Sequence, residues 1–172
     1  IFAAALAVLM AVLSPRVLFT NDEGIILEAA QRMAQGQTLY VDFFGYMSPG
    51  SYWIQQAFFH LFGFTQTAAR LPVMLDMAAS TALLYWIAAS LGNRFAAGVA
   101  AACYFILQAA TPGMLTAQHR WDSSALSLAA IALALRASDA TKARRALWLG
   151  SGALFSAAAF CTPSLGILAA VS

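Results

Sequence analysis

Long apolar segments set the strongest constraint on how this chain can fold. A helix that crosses the hydrocarbon core of a bilayer needs about 20 apolar residues, and shorter segments are tolerated inside a bundle. The sequence predicts five spans, at residues 1–19, 71–91, 95–110, 123–135 and 146–171. With 62% hydrophobic and only 9% charged residues, the chain is far more apolar than an ordinary soluble domain. The predicted fold class is therefore all-α, a polytopic transmembrane helical bundle.

Composition also excludes several classes of protein. The net charge of +2 is not gathered into a basic stripe, so nucleic acid is not a predicted partner. Cys103 and Cys161 lack the spacing of a metal or redox motif, so neither a disulfide nor a metal site is predicted from them. The chain starts and stops within apolar segments, and we interpret residues 1–172 as the N-terminal part of a longer transmembrane domain.

The distribution of charge predicts how the spans are oriented. Basic residues occupy two connections, one at Arg94 and one along 136–145, which fall on the same side of the predicted bundle. By the positive-inside rule this side is cytoplasmic. The opposite side receives the loop 20–69 and the short loop before residue 123, which together hold five of the seven acidic residues. We therefore expect the acidic loops to lie outside the cytoplasm.

The external loop 20–69 is predicted to be ordered. An N-cap residue, an acidic first turn and a terminal glycine predict an amphipathic juxtamembrane helix at 21–36. A second helix is predicted at 49–62. Its aromatic side chains are typical of anchors at headgroup depth, and direct contact with a lipid substrate is the alternative.

The local sequence makes two acidic residues candidates for a functional role. Asp22 follows the first span and begins the surface helix, where the helix dipole favours an ionised carboxylate. It is either a base at the lipid–water boundary or, together with Glu23, simply a helix cap. Asp76 lies within the second span, where a carboxyl group is costly and is expected to face the bundle interior. It is either the partner of an arginine or part of a substrate path.

The order of these motifs resembles the N-terminal part of GT-C class membrane glycosyltransferases. The likeness covers nearly the whole chain and rests on Asp22-Glu23, the segment GQTLYVDFF, residues 49–53 and Arg70-Leu71-Pro72. The most similar branch contains the bacterial protein mannosyltransferases and the lipid A aminoarabinose transferases. The resemblance implies an integral enzyme of a bacterial inner membrane, with its active site on the extracytoplasmic side. It would move a sugar from a polyprenyl-phosphate carrier to an extracytoplasmic lipid, glycan or protein.

The resemblance also implies which residues do the chemistry. Catalytic carboxylates are expected at Asp22, Glu23 and Asp122, with Asp22 as the general base that takes a proton from the attacking acceptor group. The leaving phosphate needs positive charge or hydrogen-bond donors rather than a general acid. The residues expected to bind substrate or the lipid phosphate are Arg70, His119, Arg120 and Tyr40.

Each of these assignments has a structural alternative. Arg70 can extend to lipid headgroups, and Arg120 can pair with Asp122 or Glu23. A histidine such as His119 is more often a structural or surface residue than a ligand. A divalent metal site made from Asp22, His119 and Asp122 is chemically conceivable, but the spacing does not demand it, and we predict no metal and no cofactor.

Two other functions compete with sugar transfer. An intramembrane charge such as Asp76 is common in transporters and lipid flippases, although no internal repeat of the kind found in transporters is evident. A non-catalytic membrane partner, whose outer loop binds another protein, is the third possibility. No nucleotide-binding motif is present, which fits a lipid-linked donor. The predicted partners are thus the bilayer, a polyprenyl-phosphate sugar and an acceptor.

Overall fold

The computed structural model describes residues 21–110 and 116–164, and of residues 21 and 22 only the backbone. The described part contains six helices and no strand. The helices are α1 (Asn21–Ala34), α2 (Pro49–Phe62), α3 (Gln66–Leu91), α4 (Arg94–Ala109), α5 (His119–Asp139) and α6 (Arg144–Cys161). The all-α prediction is confirmed for these residues.

Both predicted helices of the external loop are present. α1 ends at Ala34, and Gly36 follows with a φ of 93°, in the left-handed region that glycine adopts without strain. α2 begins with Pro49, whose missing N–H is not needed at a helix start, and ends at Phe62, where Gly63 follows with a φ of 75°. The two helices pack together through a cluster that includes Ile26 and Tyr52.

The aromatic face of α2 is divided between the interior and the surface. Tyr52 and Phe59 are buried, whereas Trp53 and Phe62 are exposed. Burial raises the pKa of the Tyr52 phenol, which therefore stays neutral and accepts a long hydrogen bond, 3.4 Å, from the Met47 N–H. The prediction that these aromatics are membrane anchors is therefore wrong for Tyr52 and Phe59, because both pack against α1 or its neighbours.

α3 begins earlier than the second predicted span, because Thr65 caps it by accepting a hydrogen bond from the Ala68 N–H at 3.1 Å. Pro72 consequently lies inside the helix and not in its first turn. At 26 residues, α3 is about 39 Å long. Within the described residues it is the one helix long and apolar enough to cross a membrane, and α4 is a shorter apolar helix.

α5 and α6 form the closest helix pair, and small residues make the approach possible. Ser123 donates to the Ala158 carbonyl oxygen at 3.0 Å, and Ser151 donates to the Ala130 carbonyl oxygen at 2.9 Å. Ala130 and Ala158 are fully buried. Small side chains that let backbones approach, with hydroxyl groups bonded across the interface, are typical of helix packing in membranes.

The predicted spans can be compared with the helices where the structure describes them. Segments 71–91 and 123–135 lie within α3 and α5, and 95–110 matches α4 apart from its last residue. α6 covers the first part of 146–171 and ends at Cys161. The span 1–19 and residues 165–171 of the last span lie outside the described residues.

Large apolar side chains point outward along the helices. The exposed ones include Leu75, Leu91, Phe95, Ile106, Leu107 and Leu149. Single exposed apolar residues are normal in soluble proteins, and it is large exposed apolar patches that mark a surface for a partner or a lipid phase.

Gly50, at the start of α2, provides a first testable prediction. A Cβ atom at this position would lie 2.6 Å from Cys161 Sγ, 2.9 Å from the Phe160 carbonyl oxygen and 3.0 Å from the Cys161 nitrogen. Because two of these atoms are backbone, we expect Gly50→Ala to separate α2 from α6 and to destabilise the fold by about 1–3 kcal/mol.

The matched control is Gly98→Ala in α4, where a Cβ atom would meet nothing within 4 Å. Alanine is the better helix former, so this change should be neutral or stabilising. The free energy of unfolding in mixed micelles, from titration with a denaturing detergent, checks both variants. Equal stability of the two would contradict the close approach of α2 and α6.

Candidate active site

The start of the external loop is held in place by a buried ion pair. Glu23 is fully buried in the first turn of α1, and its Oε1 lies 3.0 Å from the Arg70 guanidinium near the start of α3. The second carboxylate oxygen accepts from the same Arg70 nitrogen at 3.1 Å. The backbone N–H of Ala117, in the loop before α5, donates to Glu23 at 3.3 Å. Glu23 thus joins α1, α3 and the second external loop.

The Glu23–Arg70 pair unites two residues that the sequence analysis assigned to different tasks, one to catalysis and one to phosphate binding. Both side chains are almost completely removed from solvent. A charge buried to this extent is tolerated only when it is paired and hydrogen-bonded. In this arrangement the pair fixes the backbone on which Asp22 sits; the side chain of Asp22 itself lies outside the described part of the structure.

Asp122 is the third predicted catalytic carboxylate, and it faces the interior. It is buried on the side of α5 that packs against α3, and it accepts a hydrogen bond from the Ser51 hydroxyl of α2. The carboxyl group of Asp76 in α3 lies beside it. Asp122 therefore lies where three helices meet.

A small cavity of about 10 Å³, close to the size that holds one water molecule, adjoins the two carboxyl groups. Its lining includes the polar side chains of Ser51, Gln55, Asp76, Gln118 and Asp122. The buried Oδ2 of Asp76 has no hydrogen-bond partner among the described residues. The sequence left two interpretations of Asp76, as the partner of an arginine or as part of a substrate path. An arginine partner is not observed, because the charged neighbour of Asp76 is Asp122.

His119 and Arg120 lie side by side at the start of α5 but in different surroundings. His119 is half-buried, and its carbonyl oxygen accepts a hydrogen bond from Thr162 Oγ1 at 3.1 Å, which ties α5 to the end of α6. Arg120 is exposed and has no ion-pair or hydrogen-bond partner among the described residues. Its guanidinium is therefore available to a ligand.

Tyr40 lies in a compact turn between α1 and α2. It is the one described residue other than glycine with a positive φ, 66°, a conformation that costs a bulky residue about 1–2 kcal/mol. Its hydroxyl donates to the Met47 carbonyl oxygen at 2.6 Å, and the Thr38 N–H donates to Asp42 at 2.6 Å in the same turn. The Tyr40 side chain is half-exposed, beside the strongly exposed Phe44. These contacts confirm that this part of the loop is ordered.

The described side chains do not form a metal site. Among them, no group of three or more His, Cys, Asp or Glu residues is close enough to hold a metal ion. The hypothetical set of Asp22, His119 and Asp122 includes one side chain outside the described part. Of the other two, Asp122 already accepts a hydrogen bond from Ser51.

Ser51 was not identified from the sequence as a site residue, although a signal for it exists. Ser51, Gln55 and Phe59 are spaced four residues apart, so they share one face of α2, and all three are buried. A serine and a glutamine on the buried face of a helix need hydrogen-bond partners from neighbouring elements. Gln55 finds the Ala68 carbonyl oxygen at 3.4 Å, and Ser51 finds Asp122.

A sequence model of the dolichyl-phosphate-mannose-protein mannosyltransferase family matches residues 47–171. No curated protein and no solved structure matches the chain. The match includes Arg70, His119, Arg120 and Asp122, whereas Asp22, Glu23 and Tyr40 precede it. The resemblance to GT-C mannosyltransferases that was predicted from the motifs is confirmed.

The Glu23–Arg70 pair generates a prediction about stability. Glu23→Gln leaves Arg70 buried without a counter-charge, so we expect a loss of about 3 kcal/mol in the free energy of unfolding. Glu28→Gln is the matched control, because Glu28 pairs with Arg32 at 2.6 Å on the exposed face of the same helix. An exposed pair contributes about 0–1 kcal/mol. A Glu23→Gln protein as stable as the control, measured in mixed micelles, would contradict the structural role of the pair.

The Ser51–Asp122 contact generates a second prediction. Ser51→Ala removes a hydroxyl donor from a buried carboxyl group, and we expect a loss of about 1–3 kcal/mol in stability. Ser138→Ala is the control, since the exposed Ser138 hydroxyl bonds only to Ala134 of its own helix. That change should stay within about 0.5 kcal/mol of the parent. The same unfolding titration distinguishes the two, and an equal effect would mean that Ser51 does not support Asp122.

Proposed function

Because the chain belongs to the dolichyl-phosphate-mannose-protein mannosyltransferase family, whose members are integral membrane glycosyltransferases of the GT-C type, we propose that it transfers a sugar from a polyprenyl-phosphate carrier to an extracytoplasmic acceptor. The sugar is a hexose or a pentose, and the acceptor is a hydroxyl or amino group of a lipid, a glycan or a protein. Family membership favours sugar transfer over transport and over a purely non-catalytic role.

A contact between the two loops supports the proposal independently of family membership. The Glu23 carboxylate accepts a hydrogen bond from the Ala117 N–H, across a separation of 94 residues. This contact brings the first turn of α1, where Asp22 lies, beside the segment that leads into His119, Arg120 and Asp122. Sites of this class need a base and a phosphate-binding group on the same surface, and these two loops supply one of each.

The proposed mechanism is a single displacement. The acceptor oxygen or nitrogen attacks the anomeric carbon while Asp22 takes its proton, and the bond from that carbon to the phosphate oxygen breaks. The electron pair leaves with the phosphate, which is already a stable anion. Positive charge near that oxygen lowers the barrier without a general acid. Arg120, with its exposed guanidinium, is the proposed source of this charge, and Tyr40 and His119 are proposed to border the substrate.

Glu23, Asp122 and Arg70 receive a different part in this proposal. Glu23 and Asp122 are buried and already hydrogen-bonded within the protein, and Arg70 is buried against Glu23. A substrate would have to break these contacts in order to reach them. We therefore assign the three as positioning residues, which hold the two external loops at the end of the bundle where Asp22 and Arg120 act.

The charges at the two ends of the bundle support an extracytoplasmic site. At one end Arg136 stacks over the Trp86 ring, 5.0 Å from its centroid, and the chain connects this end to Arg94 and Arg144. At the other end lie Glu23, Asp122 and the external loops. Basic residues concentrate on the cytoplasmic side of membrane proteins, so the acidic end is proposed to face outward in a bacterial inner membrane.

Asp22→Asn tests the proposed base. The variant keeps a polar helix start but lacks a proton acceptor, so we expect sugar transfer to fall by about 100-fold or more. The measurement is release of polyprenyl phosphate from polyprenyl-phosphate mannose, and then from other sugars on the same carrier, by the purified protein with and without an added acceptor.

Asp42→Asn is the matched control, because Asp42 is an exposed carboxylate of the same loop that accepts a hydrogen bond within its own turn. It should leave release unchanged. Full activity of Asp22→Asn would remove Asp22 from the mechanism. No release from any donor by a folded wild-type protein would overturn the proposed function itself.

A further inference from the structure

The end of the bundle opposite the candidate active site has an exposed basic surface. α3 and α5 end together there, because the Arg136 guanidinium near the end of α5 stacks over the Trp86 ring near the end of α3, 5.0 Å from its centroid. At this end, residues 92–93 join α3 to α4, and residues 140–143 join α5 to α6. The exposed basic side chains in and beside these connections, which we call the basic surface, are Arg94, Arg136, Lys142, Arg144 and Arg145.

The charge of the basic surface is not neutralised by the described part of the chain. The connections and their flanking residues, 91–95 and 136–146, contain one acidic residue, Asp139. None of the five basic side chains forms an ion pair with a described residue. Arg144 and Arg145 also begin α6, where the positive end of the helix dipole disfavours a cation. A surface with this excess of positive charge attracts an anionic partner.

Large apolar side chains adjoin the basic surface on the side towards the middle of the bundle. Trp148 is exposed and follows Arg144 by four residues, so the two share one face of α6. Leu149, which is 75% exposed, stands in the same relation to Arg145. Basic residues at a helix end, with exposed apolar residues one turn further in, are arranged as at a membrane interface. A nucleic acid or an acidic protein would match the charge but leave the apolar side chains uncovered.

Trp86 indicates the depth of this boundary in the bilayer. The distance along the axis of α3 from Gln66 to Trp86 is about 30 Å, close to the thickness of the hydrocarbon core. Tryptophan is enriched where that core meets the headgroups. The contact with the indole ring holds the Arg136 guanidinium at the same level, where phospholipid phosphates lie.

We propose that the basic surface binds an anionic phospholipid of the phosphatidylglycerol class. Arg136, Arg144 and Arg145 contact the headgroup phosphate. Trp148 and Leu149 contact the acyl chains. A zwitterionic headgroup fits less well, because its ammonium group would lie against a surface of the same sign. The inference does not depend on sugar transfer, since no residue of the candidate active site takes part in it.

The affinity for short-chain lipids tests the proposal. Native mass spectrometry of the purified protein in a neutral detergent gives Kd for dioctanoyl phosphatidylglycerol, for dioctanoyl phosphatidylcholine and for glycerol phosphate, which lacks the acyl chains. We expect phosphatidylglycerol to bind at least about 10-fold more tightly than either of the others. Equal affinity for the two lipids would remove the role of charge, and equal affinity for glycerol phosphate would remove the role of the chains. Either result would overturn the proposal.

A double variant, Arg144→Gln with Arg145→Gln, locates the site. Each basic residue near an anionic headgroup contributes about 5-fold to affinity, so Kd for phosphatidylglycerol should rise about 30-fold. The fold should be retained, because both side chains are exposed and lie at the unfavourable end of the dipole of α6. The midpoint of thermal unfolding checks this. An unchanged Kd would overturn the assignment to these residues.

Two control variants separate charge from other effects of substitution. Arg144→Lys with Arg145→Lys keeps both charges and should bind within about 3-fold of the parent. Arg32→Gln removes an ion-paired arginine near the other end of the bundle and should leave Kd unchanged. A loss of affinity in Arg32→Gln as large as in the double glutamine variant would mean that net charge, and not the basic surface, attracts the lipid, and would overturn the proposal.

Competition distinguishes a lipid from other anionic partners. Polyglutamate and a single-stranded oligonucleotide carry negative charge without acyl chains, so neither should displace bound phosphatidylglycerol at a matching concentration of charge. Displacement by either would assign the basic surface to an acidic protein or to a nucleic acid and would overturn its assignment to a phospholipid.

Discussion

The buried ion pair between Glu23 and Arg70 is the contact on which the site depends. Both side chains are withdrawn from solvent, and their charges are tolerated because each satisfies the other. Since Glu23 also accepts from the Ala117 N–H, one carboxylate joins the first external loop, α3 and the second external loop. Leu27, in the next turn of α1, packs against the cluster that contains Ala117 and Trp121, so an apolar contact adds to the polar one.

The polar residues at this end of the bundle fall into two groups with different physical roles. Glu23, Arg70, Asp76 and Asp122 lie inside the fold. Glu23 pairs with Arg70 and Asp122 accepts a hydrogen bond from Ser51, so their polarity contributes to helix arrangement. Arg120 faces outward with no partner in the described structure. This division favours a mechanism in which interior carboxyl groups position the loops, while exposed groups meet the substrate. Buried polar groups that are hydrogen-bonded rigidify a site, and Asp76 Oδ2, which has no partner among the described residues, is the exception.

Much of the local structure was predictable from the chain. The helices at 21–34 and 49–62 follow from start and stop residues, and α3, α4 and α5 follow from apolar length. The family was predictable from the motif at Asp22-Glu23 and the segments after it. The role of Ser51 was not, because a serine carries no sign of its partner until helices distant in sequence are packed. The partner of Asp76 was equally hidden, since the choice between an arginine and a second carboxyl group depends on the rotation of α5 about its axis.

The sequence by itself determined the helical class of the described residues, the family and the order of charged loops, because apolar length, capping residues and charge asymmetry act over short distances along the chain. Only the tertiary structure decided which polar residues are interior and which are available. Glu23 and Asp22 are neighbours in sequence, yet Glu23 is enclosed by α3 and the second loop. Arg120 and Asp122 are two residues apart and therefore point about 200° apart around the helix axis, so Arg120 is exposed and Asp122 faces the core.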